Sequence, residues 1–418
     1  MEMSIRTCIF FVLVALTLSS MAEASIFPDR RKNQFATDYG YALFPYPYSL
    51  PGIGTGLGLV GGAMNIGGTH TDAYGMAFGG DITGVALGVA DVHVLPKTLI
   101  LDTGFGSISS ATIQSYSSRG MKNTDKNDYS NIELGDMTYY GSRATATFFE
   151  RRFELYGAYY QGSSQLKSIR DKDGKLIVET QSARSRGHVT LLGTRVDLTD
   201  DYADPRRGVR LDIGRSLTPP SDSGPDFYIQ DISATGYFPL GRRSTWAFNY
   251  FRSDAHVNRQ GVIDEAKVAE KYKCASLPID SVERTLCDNV VKNEVASNTY
   301  GTASSLGGFS RLRSYSASRY SGAHTRFYGT EIRWNLTDES TPYDIFIMKD
   351  IRTAWQIALY YEVGSTADIR SELGDAWRTS TGIGLRMVTA SGVVFRADVA
   401  AGSEGVSPSI FIGYPWEL

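Results

Sequence analysis

The chain has 418 residues, with 42 Lys plus Arg against 45 Asp plus Glu and a formal net charge of -3. Charged residues make up 21% and aromatics 12%, which is too charged for a helical membrane protein and too aromatic for disorder. The near-neutral balance gives no basic footprint for nucleic acid, while 43 Gly, 25 Tyr and 19 Phe against 14 Pro suit many glycine-punctuated aromatic strands.

Residues 1–24 read as a secretory signal peptide. Arg6 supplies the positive start, Ile9 to Leu18 the apolar run, and Ala22-Glu23-Ala24 the small-x-small cleavage site. The apolar run is too short to span a bilayer as a helix, and no other stretch comes closer. Residues 25–53 are expected to form a short periplasmic segment, and 54–418 an all-β, transmembrane antiparallel barrel.

From about Gly54 onward the hydrophobic period is two. Trp355, Ile357, Leu359, Tyr361 and Val363 share one face, and Gln356, Ala358, Tyr360, Glu362 and Gly364 the other. Tyr328, Ile332 and Trp334 oppose Phe327, Glu331 and Arg333; Val209, Leu211 and Ile213 oppose Arg210 and Asp212. Ile383, Leu385 and Met387 oppose Arg386, and Phe395, Ala397 and Val399 oppose Arg396 and Asp398. Candidate strands of 10 to 14 residues match the length needed to cross hydrocarbon when tilted, not that of ordinary strands. Short links at 150–152, 204–207, 240–243 and 391–392 alternate with long polar ones at 113–137, 168–186, 257–325 and 367–378. That asymmetry belongs to outer-membrane barrels of the Gram-negative type, with short periplasmic turns and long external loops. The period places upward strands near 54–68, 98–112, 153–167, 208–217, 244–256, 354–366 and 392–402, and downward strands near 73–96, 138–150, 187–200, 227–239, 326–338, 379–390 and 407–417. This makes 14 strands, or 16 if the Tyr- and Pro-rich segment 39–51 hides one more hairpin.

Segment 257–300 breaks the pattern: it is charged and reads as short external helices around Cys274 and Cys287, the two cysteines of the exported chain, which are expected to pair. Catalytic and cofactor signals are weak. Gly56 to Gly61 matches G-x-G-x-x-G, but it lies inside an alternating stretch without the strand–turn–helix that a nucleotide site needs. The five histidines show no metal spacing, and there is no G-x-S-x-G elbow. No cofactor, metal or enzyme activity is expected.

The sharpest signal is Leu306-Gly307-Gly308, then Leu312-Arg313-Ser314-Tyr315, then Tyr328-Gly329-Thr330-Glu331 and Tyr360-Tyr361-Glu362-Val363-Gly364. Together with Asp200 and Asp204-Pro205-Arg206-Arg207-Gly208, this set resembles the BamA-like superfamily of outer-membrane assembly and translocation barrels, the bacterial surface antigen family. The resemblance covers 190–418. It implies 16 strands and a periplasmic turn at Asp204, Pro205 and Gly208. It also implies that the 257–325 loop folds back into the lumen, so that Arg313 at its tip meets Glu331 and Glu362 in a loop lock with Leu312, Tyr315, Gly307, Gly308, Gly329 and Gly364. Alternation independently puts both glutamates on the polar face, and an Arg fork can hold two carboxylates. Two departures stand out. Ser314 replaces the family's loop-tip glycine, and 25–53 is too short for the family's periplasmic POTRA domains. The resemblance implies a barrel that helps insert outer-membrane proteins or pass polypeptides across the membrane, with a weak seam between first and last strands. Lipids and unfolded or secreted polypeptides are the partners implied, with a separate periplasmic partner or a homo-oligomer in place of the POTRA domains. The other reading is a passive pore or structural barrel.

Overall fold

The computed structural model describes residues 27–35, 37–122, 124–179, 184–219, 224–337, 342–345, 348–389 and 393–416. The expected signal peptide and the expected turn at Ser391-Gly392 lie outside them. A closed antiparallel barrel of 16 strands results. In chain order these are β1 (Gly40–Leu50), β2 (Gly54–Met64), β3 (Asp72–Gly80), β4 (Thr83–Leu95), β5 (Leu99–Tyr116), β6 (Tyr129–Phe148), β7 (Phe153–Arg170) and β8 (Ser185–Thr199). They are followed by β9 (Gly208–Leu217), β10 (Asp226–Pro239), β11 (Ser244–Arg259), β12 (His324–Asn335), β13 (Met348–Ala367), β14 (Arg378–Thr389), β15 (Val394–Gly402) and β16 (Gly405–Ile412). Each pairs with the next, and two four-residue strands, Leu176–Glu179 and Pro342–Ile345, extend β7 and β13.

The period-two reading holds strand by strand. Leu57, Leu87, Leu192, Val209, Trp334, Leu359, Ile383 and Val399 are exposed and make the apolar outer belt, while Arg210, Asp212, Glu331, Arg333, Glu362, Arg386, Arg396 and Asp398 are buried on the inner side. A closed barrel with such a belt is an integral outer-membrane protein.

Three expectations change. Segment 39–51 holds one strand, β1, so the barrel begins at Gly40 rather than Gly54. The stretch 73–96 is two strands, because Asp81 and Ile82 turn the chain between β3 and β4. As a result β2 runs opposite to the direction read from the sequence, and the total becomes 16. The final strand ends at Ile412 instead of 417, since Gly413, at φ 117, turns the chain inward.

The 260–323 connection carries helices α1 (Glu265–Lys271) and α2 (Val282–Tyr300), capped by Asp264 and Ser281. A Cys274–Cys287 disulfide joins the segment after α1 to α2, with Cα atoms 5.7 Å apart.

Candidate functional site: the docked loop and the seam

After α2, Gly301 sends the chain into the barrel. Leu306 bridges Tyr320, and Gly308 N–H donates to the Tyr315 carbonyl at 2.7 Å, tying off a compact hairpin. Gly307 has φ 109, and a Cβ there would sit 2.1 Å from the Ser316 oxygen, so only glycine fits. At the tip the left-handed residue is Leu312, at φ 53. Ser314 is not among the positive-φ residues, so its departure from the family glycine does not hinder docking.

Arg313 is fully buried. Its Nε donates to Glu362 Oε1 at 2.9 Å and its backbone N–H to Glu362 Oε2 at 2.9 Å. Its other nitrogens reach Asp398 Oδ2 at 3.0 Å and Glu331 Oε2 at 3.3 Å, and the guanidinium stacks 3.3 Å over the Tyr360 ring. These contacts come from three strands, β12, β13 and β15, whose alternation sends the polar residues inward. Glu331 is shared: Arg333 Nε donates at 2.7 Å and Arg386 binds both its oxygens. Arg396 stands 3.3 Å from Asp398. The fork expected to hold two carboxylates therefore holds three, inside a network with three more arginines.

The glycines around this network make room. A Cβ at Gly364 would meet Leu306 at 2.5 Å, where Leu306 and Leu312 pack in an apolar cluster with Phe251, Phe327 and Tyr320. A Cβ at Gly329 would meet the Trp416 indole at 2.7 Å. Tyr315 O–H donates to the Thr379 carbonyl at 3.1 Å, and Arg319 pairs with Glu404 at 2.8 Å, fixing the hairpin to β14 and the β15–β16 turn.

Trp416 was not singled out by its sequence position. The segment after β16 folds into the lumen, and its indole N–H donates to Glu362 Oε1 at 3.0 Å, the oxygen that Arg313 Nε uses. Asp398, Arg386, Arg333 and Arg396 stood on polar faces in the alternation, but bringing them together needs the register of four strands.

At the short-turn end, Asp204 Oδ1 accepts from Tyr414 O–H at 2.7 Å and Gln356 Nε2 at 2.9 Å. Its other oxygen lies 3.3 Å from Arg206 and 3.7 Å from Arg31. Burial alone pushes the Asp204 carboxyl up, but the two cations and the two hydrogen bonds outweigh it, and the group sits below its ordinary range. Pro205 is buried in the turn, and Gly208 has φ 112, where a Cβ would lie 2.1 Å from the Leu198 oxygen. The N-terminal segment is clamped here too, with Arg31 N–H donating to the Asp200 carbonyl and Lys32 3.4 Å from Asp201.

The barrel closes on β1 through two isolated residue pairs, Ser49 with Ile410 of β16 and Tyr41 with Lys349 of β13, and β1 and β16 share only the first among the described residues. The cause is visible in the backbone. Asp81 N–H donates to the Thr55 carbonyl, so odd residues of β2 face β3 and even ones face β1. The register pairs even β1 residues with even β2 residues, which leaves Pro45 and Pro47 with their nitrogens toward the seam. Gly413 N–H donates to the Val394 carbonyl, so in β16 odd residues face β15, and Pro408 also faces the seam. Three seam-facing positions thus lack a donor. Apolar contact stands in: the Phe44 and Phe395 rings are 5.0 Å apart, and Ser49 O–H donates to the Pro408 carbonyl at 3.1 Å.

No protein-family model and no curated protein matches the sequence. Among solved structures, the chain is similar to BamA from Haemophilus ducreyi lacking POTRA domains 1-3, with 12% identity over 96% of this chain and 77% of that one, at a TM-score of 0.46. It is also similar to CdiB from Escherichia coli (13%, TM-score 0.49) and CdiB from Acinetobacter baumannii (11%, TM-score 0.47), covering 90% of this chain in both cases but 61% and 65% of theirs. These likenesses concern the course of the chain alone, and the strand order and register carry the fold assignment. The chain is a 16-stranded outer-membrane barrel, similar in course to those of BamA and CdiB.

Proposed function

We propose that the barrel assists the membrane insertion of outer-membrane proteins or the translocation of polypeptides, working at its seam. The observation that carries this is a β1–β16 edge joined by a single residue pair, Ser49 with Ile410, with one further pair from β1 to β13, Tyr41 with Lys349, beside a lumen occupied by the docked loop. An antiparallel ladder of eight to eleven residues would ordinarily contribute many hydrogen bonds, each worth about 1 kcal/mol net. Without them, parting β1 from β16 costs far less than parting any other pair. Strand length adds to this: β1, β2, β15 and β16 have 11, 11, 9 and 8 residues, against 18 to 20 in β5 to β7. The barrel wall is lowest at the seam, where a short apolar span strains the adjoining bilayer. The loop lock, with Arg313 on Glu331, Glu362 and Asp398, keeps the adjoining wall of β12 to β15 rigid while the seam yields. It also argues against a passive open pore, since a hairpin with buried ion pairs stands in the channel.

The test is depletion followed by quantitative proteomics of the outer membrane and the medium. Selective loss of one or more barrels, or of a secreted polypeptide, is expected. Unchanged levels of both sets would overturn the proposal.

A further inference from the structure

The two halves of the lumen wall differ in chemistry. On β12 to β15 the inward positions carry Glu331, Glu362, Arg386, Arg396 and Asp398. From Gly40 to Ala90 the inward positions carry one charge, Asp72, at the end of β3. Instead they form, with Ile108 of β5, an apolar patch in which Tyr46, Tyr48 and Val60 are the buried base and Met76, Phe78 and Ile108 are half-buried. Tyr74, Tyr139 and Tyr160 continue it, each lying over a glycine of a neighbouring strand (Gly88, Gly106 and Gly141), where a Cβ would meet the ring within 2.6 Å. Each of the three is 42% exposed, so the lumen is unfilled along this wall. Water-filled barrels have polar interiors; an apolar inner wall of this breadth is a binding surface.

This wall begins at the seam. Tyr46 stands 6.1 Å from Phe395, and its hydroxyl is buried with no hydrogen-bond partner. On the outer side of the same strands, Leu43 and Val406 are exposed to the lipid belt. The inner patch and the membrane-facing surface are therefore continuous across a junction held by two residue pairs near the ends of β1, Tyr41 with Lys349 and Ser49 with Ile410.

We infer that the β1–β5 half of the lumen is a binding groove for an acyl chain of a membrane phospholipid, admitted through the β1–β16 seam. Two features select this occupant. A polypeptide strand brings a polar N–H and C=O with each residue, and the apolar inner wall supplies no partners for them. An acyl chain has no such demand and leaves a medium, the bilayer, to which the groove is joined. The Tyr46 hydroxyl at the threshold offers the single donor that an ester carbonyl needs, the pattern of an apolar site oriented by one polar group.

The experiment uses the full chain in nanodiscs of phosphatidylethanolamine and phosphatidylglycerol doped with a phospholipid carrying a diazirine on its acyl chain. After irradiation, mass spectrometry should find adducts on inward Met76, Phe78 or Ile108 as well as on outward Leu57, Leu87 or Phe105. Adducts confined to the outward set would overturn the groove. A Ser49→Cys/Ile410→Cys variant, with Cys274 and Cys287 changed to Ser, closes the seam by oxidation. Inward adducts should then be lost and outward ones kept, with recovery on reduction. Inward adducts that persist in the oxidised protein would overturn entry through the seam. Phe78→Glu should abolish inward labelling in protein that keeps its heat-modifiable gel mobility; if it does not fold, Ile108→Gln serves the same purpose. The inference shares the β1–β16 seam with the proposed function but is read on lipid adducts, so its failure leaves client assistance untouched, and the depletion test leaves the groove untouched.

Discussion

Arg313 and Glu331 belong to one network, yet the geometry makes them unequal. Removing the Arg313 side chain leaves Glu331 with Arg333 and Arg386, Glu362 with the Trp416 indole, and Asp398 with Arg396. Neutralising Glu331 leaves two fully or nearly buried guanidinium groups, Arg333 and Arg386, without their carboxylate, and breaking a buried pair this way costs about 3–5 kcal/mol. Glu331→Gln should therefore lower the temperature at which the folded gel band is lost by more than Arg313→Ala does. Arg313→Lys should rescue only in part, since an ammonium lacks the fork that reaches three carboxylates. Equal shifts for the two variants would show that Arg313 alone carries the network. Asp204 allows a pH test. Its folded pKa is depressed, so its contribution is present above the ordinary carboxylate range and lost as pH falls through the folded value. Hydrogen exchange at the 200–207 turn should rise on acidification in the native chain, and Asp204→Asn should flatten that rise. A turn equally acid-sensitive in the variant would mean another group controls it. At this scale the sequence announced Glu331 and Glu362 through parity, and Arg313 through the resemblance of its loop motif. It could not announce Asp398 or Trp416, since their place in the network is fixed by inter-strand register and by a turn at Gly413.

Among the elements, β1 shows where pattern reading stops. The Phe-Pro-Tyr-Pro-Tyr run from Phe44 to Tyr48 argues against a strand interior, because proline gives no ladder donor. In the barrel it is a full strand whose prolines all face the side that forms the fewest bonds. The stretch 73–96 shows the opposite failure: its alternation continues through Asp81 and Ile82, so a two-residue turn passes unseen and two strands read as one. Both errors arise because period reports which face a side chain takes and says nothing of which edge its N–H takes. The edge can be tested. Pro45→Val with Pro47→Val restores two seam-facing donors opposite β16. Each new bond is worth about 1 kcal/mol net. The double variant should melt at higher temperature and slow amide exchange in β1 and β16, with the β5–β7 amides unchanged. If seam exchange stays as fast as in the native chain, stagger rather than missing donors keeps the seam open.

For the whole molecule, length, parity and the alternation of short with long links made a membrane barrel legible and the resemblance implied 16 strands, whereas which segments form the first four strands emerged only from pairing. What remains is which way the barrel stands. The long connections, including 260–323 with its two helices, lie at one end, and the four-residue turn 240–243 lies at the other. In barrels of this kind the short turns face the periplasm. Lys267, Lys271 and Lys273 are exposed on or just after α1, and Arg242 and Arg243 are exposed at the opposite end. Exposed, strand-free segments are where a protease cuts first. Trypsin added to intact cells should therefore cleave within 260–300, and the barrel should keep its folded gel mobility because its strands and the docked hairpin are untouched. Cleavage at Arg242 or Arg243 should appear only after the outer membrane is opened. The reverse order would put the helical loop in the periplasm and the low seam wall the other way up. It would also move the groove entrance, and with it the direction from which a client or a lipid approaches.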